Sequence, residues 1–388
     1  IFGTSDNIET IKFNNVTQIS NNGGATNVFA GLSKLNTLEI NSSGNETLQI
    51  NDSVFGTSST IKNIKISNSN NVSFGDNLFT GLSAVENIDI SYADSFSGTP
   101  IIGYDNTYDN ASNLTTLSFN NLPSFPKSSD EIFSGLNSFK NIEFNMKSTG
   151  VNFNHADMNN LLGSVGNKPQ GINNIKFSNL LDIYMLGSDV DNTMFNGMPS
   201  LETLEFGMAN STSTIALGKL SSGNDSVKTL KLNNLQSTDT LSNSISNAAG
   251  TGTQAPLTGM SVLETIELNY KQNGRVVFDR HLLRNSNVST VKFNNVIECK
   301  AENSSSSYLP QNVNTVEFNF DSPSQFRFNS DMFSSAVGRN LNFKFNNVNG
   351  FANTINIGNN IVYNLEINLS DDHEYDMNIF NLIGNHMN

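Results

Sequence analysis

The chain has one cysteine, Cys299, in 388 residues. No internal disulfide can form, and no cysteine-clamped cap can close either end of the fold. Its thiol reads as a buried small hydrophobe. Charge is also scarce, at 14% of residues, and it leans acidic: 35 Asp and Glu against 21 Lys and Arg, a formal net charge of −14. No Lys/Arg cluster offsets that balance, which repels a phosphate backbone and argues against nucleic acid as a partner. No apolar run approaches the ~20 residues needed to span a bilayer. The chain opens on Ile1 and shows no charged-then-apolar leader, so a secretion signal, if one existed, has been removed or lies outside this stretch.

The groups that carry chemistry are sparse too. Four histidines, His155, His281, His373 and His386, lie far apart, none with a partner at metal-ligand spacing. There is no nucleophile elbow and no glycine-rich phosphate loop. The acidic runs "SDDHEYD" (Asp371, Asp372, Glu374, Asp376) and "SDVDNT" (Asp189, Asp191) lack the glycine and distal glutamate of a complete calcium loop and read as solvated turns. The expectation is a protein that is not an enzyme and needs no metal or cofactor.

What the sequence has is repetition. "IFGTSDNIETIKF" opens the chain and "VFGTSSTIKNIKI" recurs at 54–66. Fourteen short segments, from Ile11-Lys12-Phe13 to Leu365-Glu366-Ile367, alternate apolar and polar residues with period two, the pattern of a half-buried strand. They usually recur every 24–29 residues. Longer intervals carry the insertions "SVGNKPQGI" and "AAGTGTQAPLTGM", expected in surface loops. Such a period marks a solenoid, whose turns bury apolar surface only against their neighbours. The apolar fraction, 36%, is low for a globule but serves when a few positions per turn form internal ladders. Phe2, Phe29, Phe55, Phe79, Phe133, Phe195, Phe333 and Phe380 occupy one such position and predict a phenylalanine spine.

The phrases "NVFAGLSKL", "NLFTGLSAV", "EIFSGLNSF" and "TMFNGMPSL" precede strands with the form FxGLxxL. Together with the apolar-x-x-apolar-x-apolar strand pattern they resemble the leucine-rich repeat, and "NNVSFGDNLFTGLSAVENIDI" is most similar to the BspA-like subclass of surface proteins. The resemblance implies one leucine-rich-repeat-like solenoid over residues 1–388, of about fourteen turns. It would carry a parallel β-sheet on one face and irregular or short helical segments on the other, displayed at the cell surface for adhesion.

On the outward face, the first column of the predicted sheet is all Thr or Asn, and the third is nearly all Asn or Ser. The middle column carries the charge: Lys12, Glu39, Lys65, Asp89, Ser118, Glu143, Lys176, Glu205, Lys231, Glu267, Lys292, Glu317, Lys344 and Glu366. Opposite charges on adjacent strands favour pairing by about 0.2–1 kcal/mol, so alternation is what a self-consistent stack selects. The face lacks the aromatic and Arg anchors of a binding surface, and its side chains are expected to satisfy one another.

Acceptor sequons stand at Asn15, Asn41, Asn45, Asn51, Asn71, Asn110, Asn113, Asn210, Asn224, Asn287, Asn303 and Asn368. With 66 asparagines, about a dozen arise by chance. Asn41 and Asn368 fall in the predicted sheet face. The chain shows no capping turn at either end. Two explanations fit its half-turns, with Ile1 and Phe2 at one end and Ile379 and Phe380 at the other: the residues are cut from a longer array, or copies stack head to tail, Lys12 facing Glu366, into an extracellular fibre, which is the reading taken. The second reading is a cell-surface adhesin that contacts a host or matrix protein through its loops.

Overall fold

The computed structural model describes residues 6–20, 28–29, 31–44, 46–51, 54–55, 60–75, 78–79, 82–98, 115–122, 140–153, 162, 168–184, 195–209, 215–216, 225–236, 243–246, 257, 260–278, 283, 286–301, 312–328, 337–351 and 359–369. The chain forms two compact units, Ile1–Asn179 with Thr193–Leu201, and Leu180–Asn192 with Glu202–Asn388. Each is a parallel β-solenoid of about seven turns.

In the first unit the strands are β1 (Thr10–Val16), β2 (Gln18–Ile19), β3 (Thr37–Ser42), β4 (Thr47–Ile50), β5 (Asn63–Phe74), β6 (Asn87–Gly98), β7 (Thr116–Leu122), β8 (Asn141–Met146) and β9 (Asn174–Leu180). Alternation drives them: in β3 the inward Leu38 and Ile40 are fully buried while Thr37, Glu39 and Asn41 stay half-exposed. Strands β1, β3, β5, β6, β7, β8 and β9 stack in parallel without slip over their first four residues, Thr10 on Thr37, Thr37 on Asn63, Asn63 on Asn87, and so on to Asn174.

The second unit repeats the plan. Its strands are β10 (Ile183–Tyr184), β11 (Thr203–Met208), β12 (Ile215–Ala216), β13 (Thr229–Leu235), β14 (Asn243–Ser246), β15 (Thr265–Phe278), β16 (Thr290–Ala301), β17 (Thr315–Phe328), β18 (Val337–Phe351) and β19 (Asn359–Leu369). Thr203, Thr229, Thr265, Thr290, Thr315, Asn342 and Asn364 stand in one column.

Two features of the leucine-rich-repeat expectation are corrected. Where short helices were expected, the chain makes a second run of strand: β2 pairs β4 and β4 pairs the end of β5, while β10, β12, β14 and the end of β15 pair in the same way. The reason is local. Segments such as Thr47-Leu48-Gln49-Ile50 alternate with period two and bury Leu48 and Ile50, so they too form a half-buried sheet. Among the described residues only Leu162 is helical. Nor does the FxGLxxL phrase coil: Leu32 N–H bonds to the Phe29 carbonyl (3.3 Å) and Leu35 N–H to the Leu32 carbonyl (3.2 Å), successive turns rather than a helix. The leucine-rich-repeat-like turns with short helical segments give way to parallel β-solenoid turns, about seven in each unit.

The corner between the two runs of strand is asparagine chemistry. Asn15, Asn121, Asn179, Asn234, Asn295 and Asn347 have φ between 56° and 60°. This left-handed region costs ordinary residues about 1–2 kcal/mol, and asparagine tolerates it. Asn15, Asn121, Asn234 and Asn347 are each one residue extra against the next strand, a bulge: Asn14 pairs with Asn41, but Val16 pairs with Ser42, leaving Asn15 unpaired. Asn179, Asn295 and Asn347 donate their side-chain N–H to the carbonyls of Met146 (2.9 Å), Tyr270 (3.0 Å) and Phe320 (3.0 Å) one turn below.

Phenylalanines stack along the interior. Phe29, Phe55 and Phe79 follow one another at 6.4 and 5.7 Å between centroids. Phe195 is buried, and Phe2, Phe133, Phe333 and Phe380 lie outside the described residues. Two tighter stacks come from the strands themselves: Phe119, Phe144 and Phe177 at 5.4 and 5.3 Å, and Phe293, Phe318 and Phe345 at 4.9 and 5.1 Å, with rings within 10° of parallel. The described part of the first insertion departs from a simple surface loop: Lys168, Pro169 and Ile172 are buried, while Gln170 is exposed and donates to the carbonyls of Lys168 (2.6 Å) and Gly197 (2.9 Å). In the second, Leu257 and Met260 are buried.

Replacing a corner asparagine tests this account. Asn347→Ala is expected to destabilise the second unit by about 2 kcal/mol, from backbone strain plus one lost hydrogen bond, and Asn347→Gly by less, because glycine keeps the conformation. Urea unfolding midpoints of the two variants check the order.

Candidate functional site

A strand in register places like positions one above another, so each outward column becomes a ladder about 4.8 Å per rung. In the third column the side-chain amides run as a chain. Asn41 donates to Asn14 (2.9 Å), Asn145 to Asn120 (2.7 Å), Asn319 to Asn294 (2.7 Å) and Asn368 to Asn346 (2.7 Å). Asn269 donates to Asn233, Asn294 to Asn269 and Asn346 to Asn319 in the same direction, and the Ser67 hydroxyl donates to Asn41. The first column behaves alike: Asn87 donates to Asn63 (3.0 Å) and Asn174 to Asn141 (2.7 Å). Each bond is worth about 0.5–1.5 kcal/mol net. Its donor always points to the turn below, which gives the stack a polarity.

The charged column lies between them. Lys12 meets Glu39 at 2.9 Å, Lys231 meets Glu267 at 3.5 Å, and Lys344 meets Glu366 at 3.4 Å. Lys292 bridges two rungs, 3.5 Å from Glu267 and 3.9 Å from Glu317. In the first unit Lys65 is in register with Glu39 and Asp89, and Ser118 stands between Asp89 and Glu143, whose other neighbour is Lys176. In the second, Glu205 pairs with Lys231. A flanking column adds Lys62–Glu86 (2.8 Å) and Lys228–Glu202 (2.9 Å). The hydrogen bond from Lys12 holds the Glu39 carboxyl below the usual carboxylate range, helped by the charges of Lys12 and Lys65. Asn368, and then Lys344, does the same for Glu366. The Glu202 carboxylate raises the Lys228 ammonium.

Little of this surface is left for a ligand. A polar depression is lined by Glu9, Thr10, Ser33, Lys34, Asn36, Thr37, Thr60 and Lys62, but Ser33 already donates to Asp6 (2.7 Å) and Lys62 to Glu86. No group of three metal-ligating side chains occurs among the described residues. The histidines and both acidic runs fall outside them. Cys299 is fully buried in the second run of β16, in register with Val276 and Phe328, where burial raises its thiol well above the usual range. No described helix is long and apolar enough to cross a membrane.

The strand edges differ from the interior. Among the described residues β1 pairs along its first run only with β3, and β19 only with β18. The interior positions Phe13, Leu365 and Ile367 are half-buried there, whereas their counterparts in the described turns between are buried. Tyr363, at the start of the β19 ladder, is 75% exposed. Ile1, Phe2, Ile379 and Phe380 lie outside the described residues. Of the sequons, Asn15, Asn51, Asn287 and Asn368 are exposed and Asn41 is half-buried. Asn71 lies on β5, and Asn45, Asn110, Asn113, Asn210, Asn224 and Asn303 fall outside the described residues. The Asn41 amide is locked between Asn14 and Ser67, and Asn368 donates to both Asn346 and Glu366.

No protein-family profile matches the chain, and no curated protein is detectably similar to it.

Sequence reading missed the corner asparagines. The signal was the doublet: Asn14-Asn15, Asn120-Asn121, Asn233-Asn234, Asn294-Asn295 and Asn346-Asn347, in which the first residue joins the ladder and the second turns the chain.

The charge ladder makes acid the weak side. Glu39 has a folded pKa below its unfolded one, so its contribution is present above the ordinary carboxylate range and disappears as pH falls through the folded value. The wild-type midpoint of unfolding is expected to drop between pH 7 and pH 3, and Glu39→Gln to show a smaller drop over that interval in matched urea titrations.

Proposed function

We propose that the chain is an extracellular structural solenoid, without catalytic activity, whose copies join head to tail into a fibre that can carry N-glycans. The observation that carries this reading is the ladder face: asparagine rungs bond to one another and Lys12, Lys231, Lys292 and Lys344 pair with carboxylates, so much of that face is satisfied from within. A ligand would have to break those bonds before making its own. Among the described residues β1 and β19 each pair on one side only along the ladder, with Lys12 on one edge and Glu366 on the other. Two different edges that fit each other make a heterologous contact, which propagates as an open filament. Kinship with the leucine-rich repeats, including the BspA-like proteins, belongs to the same proposal; its support is the FxGLxxL phrase before the strands.

Negative-stain electron microscopy of native material, with intact mass on the same sample, tests the fibre. Long uniform filaments built from a chain near 42.2 kDa plus glycan are expected. Single short particles, or a much heavier chain, would overturn it. Glycopeptide mapping is expected to find Asn41 and Asn368 without sugar, since a glycan on either amide removes a donor from the ladder; occupied ladder amides in assembled material would contradict the face described above.

A further inference from the structure

Over most of the stack the repeat is two turns, not one. A left-handed asparagine directly follows the third-column position in the turns of Lys12, Ser118, Lys176, Lys231, Lys292 and Lys344, and is missing there from those of Glu39, Asp89, Glu143, Glu205, Glu317 and Glu366; the Lys65 turn is basic without one, and the Glu267 turn carries a positive φ further on, at Asn273. From Ser118 onward a turn with a corner asparagine alternates with an acidic one. The pairing has a mechanical basis, because the corner asparagine reaches down to the turn below: Asn179 to Met146, Asn295 to Tyr270 and Asn347 to Phe320.

β1 belongs to a basic, bulged turn and β19 to an acidic, plain one. On β1 the corner Asn15 is exposed, and its amide makes no hydrogen bond among the described residues. Asn14 accepts from Asn41 but donates to no described group. On β19, Asn368 donates to Asn346 and accepts from no described donor. Each edge therefore shows the half of the contact that the other lacks.

Resting on the fibre reading, we infer that the β1 edge of one copy docks on the β19 edge of a second copy in the register of an internal two-turn step. Lys12 pairs with Glu366 of the other copy as Lys292 does with Glu267, Asn14 donates to its Asn368 side chain as Asn41 does to Asn14, and Asn15 donates to its Leu369 carbonyl as Asn347 does to Phe320. The half-buried Phe13, Leu365 and Ile367 become covered. The joint is a basic turn on an acidic one, so alternation passes through it unbroken. Stacking in the reverse sense brings donors to donors and lysine to lysine. A sugar on Asn15, itself in a sequon, blocks the joint.

Charge complementation on the full chain is the test. Lys12→Glu and Glu366→Lys each put like charges across the joint and are expected to raise the critical concentration for assembly by about tenfold (~1.4 kcal/mol). An equimolar mixture of the two, or the double variant, places Glu against Lys again and restores assembly, although each chain keeps its internal like-charge contact. Asn15→Gly keeps the corner, loses the donor and raises the critical concentration roughly threefold to tenfold. Sedimentation velocity reads assembly, and far-UV circular dichroism checks that each variant is folded. Filaments indifferent to all of these swaps overturn the joint and leave the fibre reading intact. A wild-type chain that stays a single particle at every concentration overturns both, and so does native material whose edges are covered by further turns of a longer chain.

Discussion

The constraint on which this molecule depends is register. A parallel strand laid directly on its neighbour fixes what stands above each side chain, and a slip of one residue would turn every inward Ile, Leu and Phe outward. Once register is fixed, the choices at each position follow. Inward, rings of the same kind stack, as Phe293, Phe318 and Phe345 do at about 5 Å. Outward, a side chain must bond to a copy of itself or to an opposite. Asparagine does the first, because one amide both donates and accepts; lysine and glutamate do the second by alternating. An Asn ladder tolerates a one-turn period, but a charge ladder demands two turns.

That difference explains how the two-turn unit is written into the corners. A bulged strand such as β1 or β7 holds one residue more than the strand above it, and two bulged turns in succession would offer an asparagine amide to a corner already occupied by another. Alternating bulged and plain corners lets the donor of one reach the carbonyl of the next, as Asn295 does with Tyr270. The long β15 shows how tightly the corner region is packed. A Cβ on Gly274 would collide with the ring of Tyr270, whose hydroxyl donates to the Arg275 carbonyl at 3.4 Å. Position 274 must be glycine for that ring to stay inside.

The strand columns were legible in the sequence because period-two alternation recurs in each turn and the charge signs identify its partner. The second run of strand was not. Pieces as short as Gln18–Ile19 or Ile215–Ala216 carry too few residues to show a period, and they are strands only because the turns beside them are. The left-handed corners were hidden by composition: among 66 asparagines a doublet attracts no notice until the backbone gives its second member a φ near 57°. The buried Lys168 was missed for a different reason, since hydrophilic insertions are ordinarily outside and only packing brings one in.

The same ladder that quiets the face makes the edges specific. A sheet edge ordinarily invites any strand, and proteins blunt it with charge, proline or bulges. Here the bulge at Asn15 and the charge of Lys12 do more than repel. In the proposed joint they select a strand with a carbonyl one residue past its ladder asparagine and a carboxylate two residues before it, and β19, with Glu366, Asn368 and Leu369, has that order. On the fibre reading, an edge hostile to strangers and complementary to its own opposite edge directs assembly, and it is built from the residues that hold each turn to the next.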